Sequence, residues 1–390
     1  MDKKTNYVLW VMLSVSWVVF EAIVLTVLEK WIDLTTGSVG AIATVFLVQN
    51  LFTVALLFSG RLAYMMSLRL SFALIGLFLG GFTFLYQHYW VGVYALIVFT
   101  TWTSYLLIPR MSNVLEMISS VNSRGQLISL VACLRMFLQL IFLLISTKYL
   151  HSFTSLLLVV RCTLYILALA IMGYYFLRKY FEEALKHAAY SVTSVSKQFK
   201  HIPYFLLMYF LSYFLLRALK PLNQEYVKSS LDSGFEASLA FNASYLLGGF
   251  IISFWAVKIF RCLHLKHFLF ACVGVIFLYS FSLYFVYPSF WLYGLMLILG
   301  VVNYGITNHI SIHIHLNYSG SQLATYSRMF YIIPYISASL SLFVFGGLSM
   351  GGLSYMLVAL LASSVGLLFM VQRSSVQKNL LTQEALHEYL

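Results

Sequence analysis

Gly60-Arg-Leu-Ala-Tyr-Met-Met-Ser-Leu-Arg-Leu70 is a short basic turn set between two long apolar runs. A second basic turn, Lys258-Ile-Phe-Arg-Cys-Leu-His-Leu-Lys266, sits between two others. Arg61 and Lys258 are 197 positions apart, and so are Arg69 and Lys266. In a chain of 390 residues that offset is close to half the length, and it predicts a chain built twice.

Composition fixes the medium in which the two copies sit. Hydrophobic residues make up 61% of the chain and charged residues 9%, with a mean hydropathy of +0.88. Soluble domains carry about 25% charged residues, so this chain has too little charge to face water and reads as a polytopic membrane protein. The net charge of +12 does not point to nucleic acid, because of where the charge lies. Most Lys and Arg fall in alternate connections and in both tails, whereas the opposite connections hold only Lys30, Lys148, Lys220 and Lys228. That asymmetry is the positive-inside pattern and predicts a multi-pass plasma-membrane protein with both termini cytoplasmic. The excess cations also suit the anionic headgroups of the bilayer.

Twelve runs approach the roughly 20 apolar residues needed to span a bilayer as a helix. They cover 7–29, 38–60, 70–87, 89–109, 126–147, 153–177, 204–223, 237–258, 267–287, 289–311, 322–346 and 353–372. Ten-residue alternating segments of the kind a barrel needs are absent. The expected fold class is therefore an all-α polytopic membrane protein of twelve transmembrane helices in two six-helix bundles. The expected domains are 1–177, a cytoplasmic central loop at 178–203, a second bundle at 204–372 and a cytoplasmic tail at 373–390. The first run is too long for a signal-peptide core and lacks a small-residue cleavage site, so it is expected to remain as the first helix.

Further coincidences support the repeat. Gly37 and Gly234 each open an apolar run; Gln126-Leu127 matches Gln322-Leu323; Arg135-Met136-Phe137 matches Arg328-Met329-Phe330 about one helical turn out of step. Six spans per copy make the copies parallel repeats, since an inverted repeat needs an odd number.

With six plus six spans, cytoplasmic tails, a long central loop and a basic turn after spans two and eight, the chain resembles the major facilitator superfamily. That superfamily's turn after the second helix starts with Gly and carries an Asp-Arg pair, a second Gly and further basic residues. Gly60 and Arg69 match its ends, but Tyr64, Met65 and Ser67 stand where Asp, Arg and Gly are expected. The resemblance implies alternating access about a central site. It assigns Gly60, Arg61, Arg69, Lys258 and Lys266 to cytoplasmic gate turns. Two drug-antiporter signatures, a buried Arg before the end of the fourth span and a Gly-Pro pattern in the fifth, are missing.

Charges inside the apolar runs are the informative residues, because placing one at the bilayer centre costs about 2.5–3.5 kcal/mol on insertion scales. Glu21 is the one acid well inside such a run, with Ser14 seven residues earlier on the same face. Carboxyls withdrawn from water exchange protons nearer neutral pH than exposed ones, so Glu21 reads either as a coupling or substrate-contacting acid or as half of a structural ion pair. Ser212 to Arg217 aligns with Ser16 to Glu21 at an offset of 196, placing opposite charges at equivalent positions. The resemblance sets the first and seventh helices against each other near the outer mouth, so Glu21 and Arg217 are expected to meet when the outside is closed. Arg135 and Arg161 would then lack an acid. Backbone carbonyls, snorkelling to an interface or a bound anion could each satisfy them. A guanidinium holds carboxylate or phosphate with a two-point fork, which makes an anionic or zwitterionic solute one reading, with Arg135 the stronger candidate.

In the tenth span Asn303 and Tyr304 are cavity candidates, since the resemblance lines the pathway with that helix. His309 and His313 share a face at metal-pair or relay spacing, but no acid or Cys completes a ligand set, and an interfacial position is the simpler reading. Gln49, Asn50 and Asn242 read as interhelical hydrogen-bonding residues. Tyr209, Tyr213, Tyr331 and Tyr335 read as packing or interface anchors, and Pro334 as a kink. The four Cys (133, 162, 262 and 272) have no ligand spacing and read as packing thiols. No nucleotide-binding loop, nucleophile motif or metalloprotease motif occurs. The expected function is a secondary active transporter of a small organic solute. It is expected to be proton-coupled and monomeric, with export ahead of uptake and with no metal, cofactor or enzyme activity. A sugar–proton symporter, a lipid or amphiphile flippase and a transport-inactive sensor are the alternatives.

Overall fold

The computed structural model describes residues 3–36, 47–53, 55–56, 67–85, 90–149, 153–190, 205–216, 234–285 and 290–349. Among the described residues all regular structure is helical. The helices include α1 (Lys3–Thr36), α2 (Leu68–Leu85), α3 (Trp90–Ile118), α4 (Val121–Tyr149), α5 (Phe153–Phe176), α6 (Arg178–Tyr190), α7 (Gly234–Phe254), α8 (Ala256–Cys262), α9 (Leu265–Phe285), α10 (Phe290–Asn317) and α11 (Gly320–Ser349), with further helical residues at 47–53 and Phe205–Leu216. Among the described residues, five helices are long and apolar enough to cross a membrane, or six if the bent pair α7–α8 is one span. The chain is an integral, multi-pass membrane protein. Helices suit that setting because each satisfies its backbone hydrogen bonds internally, where lipid offers none.

Several spans end differently from expectation. The fourth was expected to stop at Pro109, but α3 runs through Pro109 to Ile118. Membrane helices tolerate interior proline because neighbouring helices and local adjustments satisfy the freed carbonyl. α11 likewise runs through Pro334 as one helix. The eighth span was expected to continue to 258. Instead the chain bends by 69° between α7 and α8. Trp255 takes φ −100° and ψ 6° at the break, and its carbonyl accepts the Ile259 N–H at 2.9 Å, starting the new helix. Lys258 thus lies in a short helix rather than a turn, exposed, with its ammonium 5.4 Å from the Trp255 ring centroid. Lys266 lies in the first turn of α9. Cys162 and Cys262, expected to pack, are exposed on α5 and α8; a thiol is apolar enough to face lipid as readily as a core.

The chain forms two compact units. The first comprises Met1–Leu127, Ile141–Ile202 and Ile314–Ile336. In it α1 packs most extensively on α5. Its large side chains Trp17, Phe20, Trp31 and Phe82 are fully buried. Trp10 Nε1 donates to the Met111 carbonyl at 3.0 Å, and Trp17 Nε1 donates to Ser104 Oγ at 2.9 Å, so each buried indole spends its one donor. Helix α6 buries Phe181 and Ala184 and exposes Lys179, Glu182 and Glu183. Arg69, at the start of α2, approaches Glu182 at 3.8 Å, and Glu182 also holds Arg178 at 2.6 Å. These are exposed pairs, worth about 0–1 kcal/mol each. Gly60 and Arg61 lie outside the described residues; of the first basic turn the structure describes Ser67 onward, where Ser67 Oγ accepts the Leu70 N–H at 3.2 Å at the start of α2.

The same unit carries a tighter polar junction. Arg124, at the start of α4, donates to the carbonyls of Glu116 (3.2 Å) and His315 (3.3 Å), in the last turns of α3 and α10. The Glu116 carboxylate accepts the N–H of Gly320, the first residue of α11, at 2.9 Å. A cation thus meets two helix C-termini and an anion meets an N-terminus, as the helix dipoles favour. Gly320 sits at φ +54°, a left-handed conformation that glycine adopts without steric cost. Arg124→Ala is expected to destabilise the protein by about 1.5–3 kcal/mol, the range for hydrogen bonds to a charged group. SDS titration of the purified protein measures it.

The second unit comprises Ile128–Leu140, Pro203–His313 and Ser337–Leu390. There Ser129 Oγ donates to the Ser253 carbonyl at 2.6 Å, and Asn308 Nδ2 donates to Ser253 Oγ at 2.9 Å, tying α4, α7 and α10 together.

Candidate functional site

Glu21 lies in the first unit, partly buried on α1. Its Oε1 accepts the hydroxyls of both Tyr331 and Tyr335, each at 3.3 Å. The Tyr335 hydroxyl also stands 3.2 Å from that of Tyr331. Tyr331 bonds Ser104 of α3 in addition, and Ser104 accepts Trp17 Nε1. Helical spacing explains the assembly. Trp17 and Glu21 are four apart on α1, Tyr331 and Tyr335 four apart on α11, and residues so spaced share one face. Two such pairs meet around Ser104 and set two phenols on one oxygen of a carboxylate.

Arg328 sits one turn before Tyr331 on α11 and is 4% exposed. Its guanidinium lies over the ring of Tyr105, 5.5 Å from the centroid. Tyr105 follows Ser104 on α3, so α3 touches α11 at both levels: Ser104 at Tyr331 and Tyr105 at Arg328.

The other candidates lie elsewhere. Arg217, expected to meet Glu21, is outside the described residues. Ser14 donates its hydroxyl to the Trp10 carbonyl of its own helix at 2.7 Å. Arg135 is exposed on α4 in the second unit, with its charge near Tyr209. Arg161 is exposed on α5. Asn303 is buried and donates to the Tyr245 hydroxyl, while the Tyr304 ring packs on Gly249 and 5.5 Å from the Tyr245 ring; both serve the α7–α10 contact. His309, expected at an interface, is buried, its ring 4.5 Å from Phe260 and 6.3 Å from Phe268. His313 stands 5.2 Å from the Phe205 ring. Among the described residues no three His, Cys, Asp or Glu side chains converge as a metal site would require.

The chain matches no protein-family model and no curated protein. Solved structures do match. The bacterial homologue of the iron transporter ferroportin, in an outward-facing state, aligns with a TM-score of 0.69 at 15% identity, over 96% of this chain and 100% of that one. The human organic anion transporter MFSD10 aligns at 0.64 and 11% identity, over 95% and 100%. FucP, an E. coli fucose–proton symporter solved as a major facilitator transporter in the outward conformation, aligns at 0.60 and 14% identity, over 94% and 97%.

The fold is that of the major facilitator superfamily.

All three neighbours are named as transporters and none as an enzyme. Within this major facilitator fold Ser104 and Tyr105 were absent from the sequence reading, Tyr331 and Tyr335 were read there as packing or interface anchors, and Arg328 only as part of the repeat. The four-residue spacing of the two tyrosines was visible in the sequence. What it lacked was any sign that Glu21 would be the group they address.

Proposed function

We propose that the protein is a secondary active transporter that moves a small anionic or zwitterionic organic solute across the plasma membrane by alternating access. Two six-helix bundles, 1–177 and 204–372, move about the central site, and protons are coupled through Glu21 in the direction of export. The protein acts as a monomer with both termini cytoplasmic. The observation that carries this reading is the Glu21 carboxylate, whose Oε1 accepts the hydroxyls of both Tyr331 and Tyr335. An acid inside an apolar span is costly and marks ion or substrate pathways in membrane proteins. Its phenolic partners can hold it in either protonation state, since a phenol both donates and accepts.

The test is solute flux in proteoliposomes under an imposed pH gradient, across a screen of organic anions and zwitterions, for wild type and Glu21→Gln. Gradient-dependent flux in wild type supports the reading, and flux of no solute overturns it. Tyr335→Phe removes the hydroxyl that Glu21 accepts and that stands 3.2 Å from the Tyr331 hydroxyl, and a hydrogen bond to a charged group is worth about 1.5–3 kcal/mol. It is expected to lower coupled flux about tenfold or more by that energy, with the protein still folded, as initial rates in the same vesicles will show.

A further inference from the structure

We infer that the solute site pairs Glu21 with Arg328 and therefore takes a zwitterion, its carboxylate or phosphate on Arg328 and its ammonium group at Glu21. This rests on the reading of Glu21 as a transport residue. Positions 328, 331 and 335 of α11 fall within about 60° of one another around the helix, at heights of about 0, 4.5 and 10.5 Å. Glu21 meets this face at Tyr331 and Tyr335, so the cation lies one to two turns from the anion. The α3 contacts give the same register independently, through Ser104 at Tyr331 and Tyr105 at Arg328.

A second observation points to a ligand. Thr100, Thr101 and Ser327 are 2%, 0% and 3% exposed, and their hydroxyls find no hydrogen-bond partner among the described residues. Buried hydroxyls are ordinarily satisfied. Thr100 and Thr101 stand one turn from Ser104 and Tyr105 on α3, and Ser327 one turn from Tyr331 on α11, so the unsatisfied groups extend the faces that carry the site. An apolar surround with a few convergent polar groups is the usual composition of a small-molecule site. The guanidinium supplies a planar two-point donor for a carboxylate or phosphate, and the Tyr105 ring keeps that plane oriented. The charge separation favours ω-amino acids over α-amino acids.

The test is ligand-dependent thermal stabilisation of the purified protein in detergent. The probes are ω-amino acids of graded length, the matched carboxylates and amines bearing one charge each, and phosphoethanolamine. Wild type is expected to prefer an ω-amino acid or phosphoethanolamine to either single-charge analogue by about tenfold or more, a difference of about 1.4 kcal/mol. Stabilisation by phosphoethanolamine alone assigns the anion as phosphate, and by the amino acids alone as carboxylate. R328Q should lose the preference for every anion-bearing probe, and E21Q the preference for every amine-bearing one. R328K keeps the charge without the fork and should bind at least several-fold more weakly, which gives a reading if R328Q does not fold. Zwitterion binding unchanged in R328K and R328Q, a preference for amines alone, or no probe bound by wild type overturns the inference. Zwitterion binding that depends on Arg328 without pH-driven flux retains the site and removes the coupling reading. Flux with binding indifferent to position 328 does the reverse.

Discussion

Glu21→Gln is expected to cut pH-gradient-driven accumulation about tenfold or more, which takes only about 1.4 kcal/mol of lost coupling, while exchange of labelled for unlabelled solute stays within a few-fold of wild type. Gln matches Glu in shape, and its amide oxygen can still accept the hydroxyls of Tyr331 and Tyr335 that Glu21 Oε1 accepts at 3.3 Å. The tyrosine pair and its link through Ser104 to Trp17 therefore persist, and the helices keep their contact. What Gln cannot do is bind and release a proton between the two sides of the membrane. Coupling and exchange separate for that reason: exchange needs the site to form and reorient, whereas accumulation needs the proton as well. Glu21→Asp keeps the acid but shortens it by a methylene, lengthening hydrogen bonds that are already long, and should fall between the two. Gln-variant accumulation at the wild-type level would assign Glu21 a structural role.

Gly300→Ala is expected to be among the most damaging single-methyl changes in the second unit. A Cβ built on Gly300 meets the Tyr245 carbonyl carbon at 2.9 Å and its Cα at 3.1 Å, with the carbonyl oxygen nearer still. One turn away, a Cβ on Gly248 would meet the Val301 nitrogen at 2.9 Å and the Leu297 carbonyl carbon at 3.0 Å. These neighbours are backbone, so relief requires α7 and α10 to move apart. Membrane helices associate through close packing and polar contacts rather than a hydrophobic drive, and small residues at the crossing permit it. Separation would weaken the Asn303–Tyr245 and Asn308–Ser253 bonds along the same seam. Overpacking costs typically about 1–3 kcal/mol, and the rigid neighbours place Gly300→Ala at the upper end. Gly274→Ala on α9 is the control: nothing lies within 4 Å of its Cβ, and Ala gains about 0.5–1 kcal/mol over Gly within a helix. SDS unfolding of both variants should move in opposite directions. Equal stability of the two would overturn close backbone contact at the α7–α10 crossing.

Much of the architecture was legible because lipid makes strict demands. A span must be long and apolar whatever surrounds it, so most described helices fall where hydropathy placed them. Their ends were less legible. The break at Trp255 carries neither Gly nor Pro, and the apolar run simply continues into α8. The extension of α3 past Pro109 depends on neighbouring helices that accommodate the proline.

For the site, the sequence by itself determined that a carboxylate stands inside the first span, because one acid in so apolar a run is conspicuous without any partner. It could not determine which interior arginine matters. Arg135, Arg161 and Arg328 look alike along the chain, yet the first two are exposed and Arg328 is 4% exposed over Tyr105. Nor could it distinguish Tyr331 and Tyr335, which address Glu21, from Tyr209 and Tyr213, which pack edge to face on each other. A helix apolar on every side carries no stripe to mark which face turns inward, so facing is set by helix-to-helix packing. Only the tertiary structure decided that the face of α11 bearing Arg328, Tyr331 and Tyr335 is the one that meets Glu21.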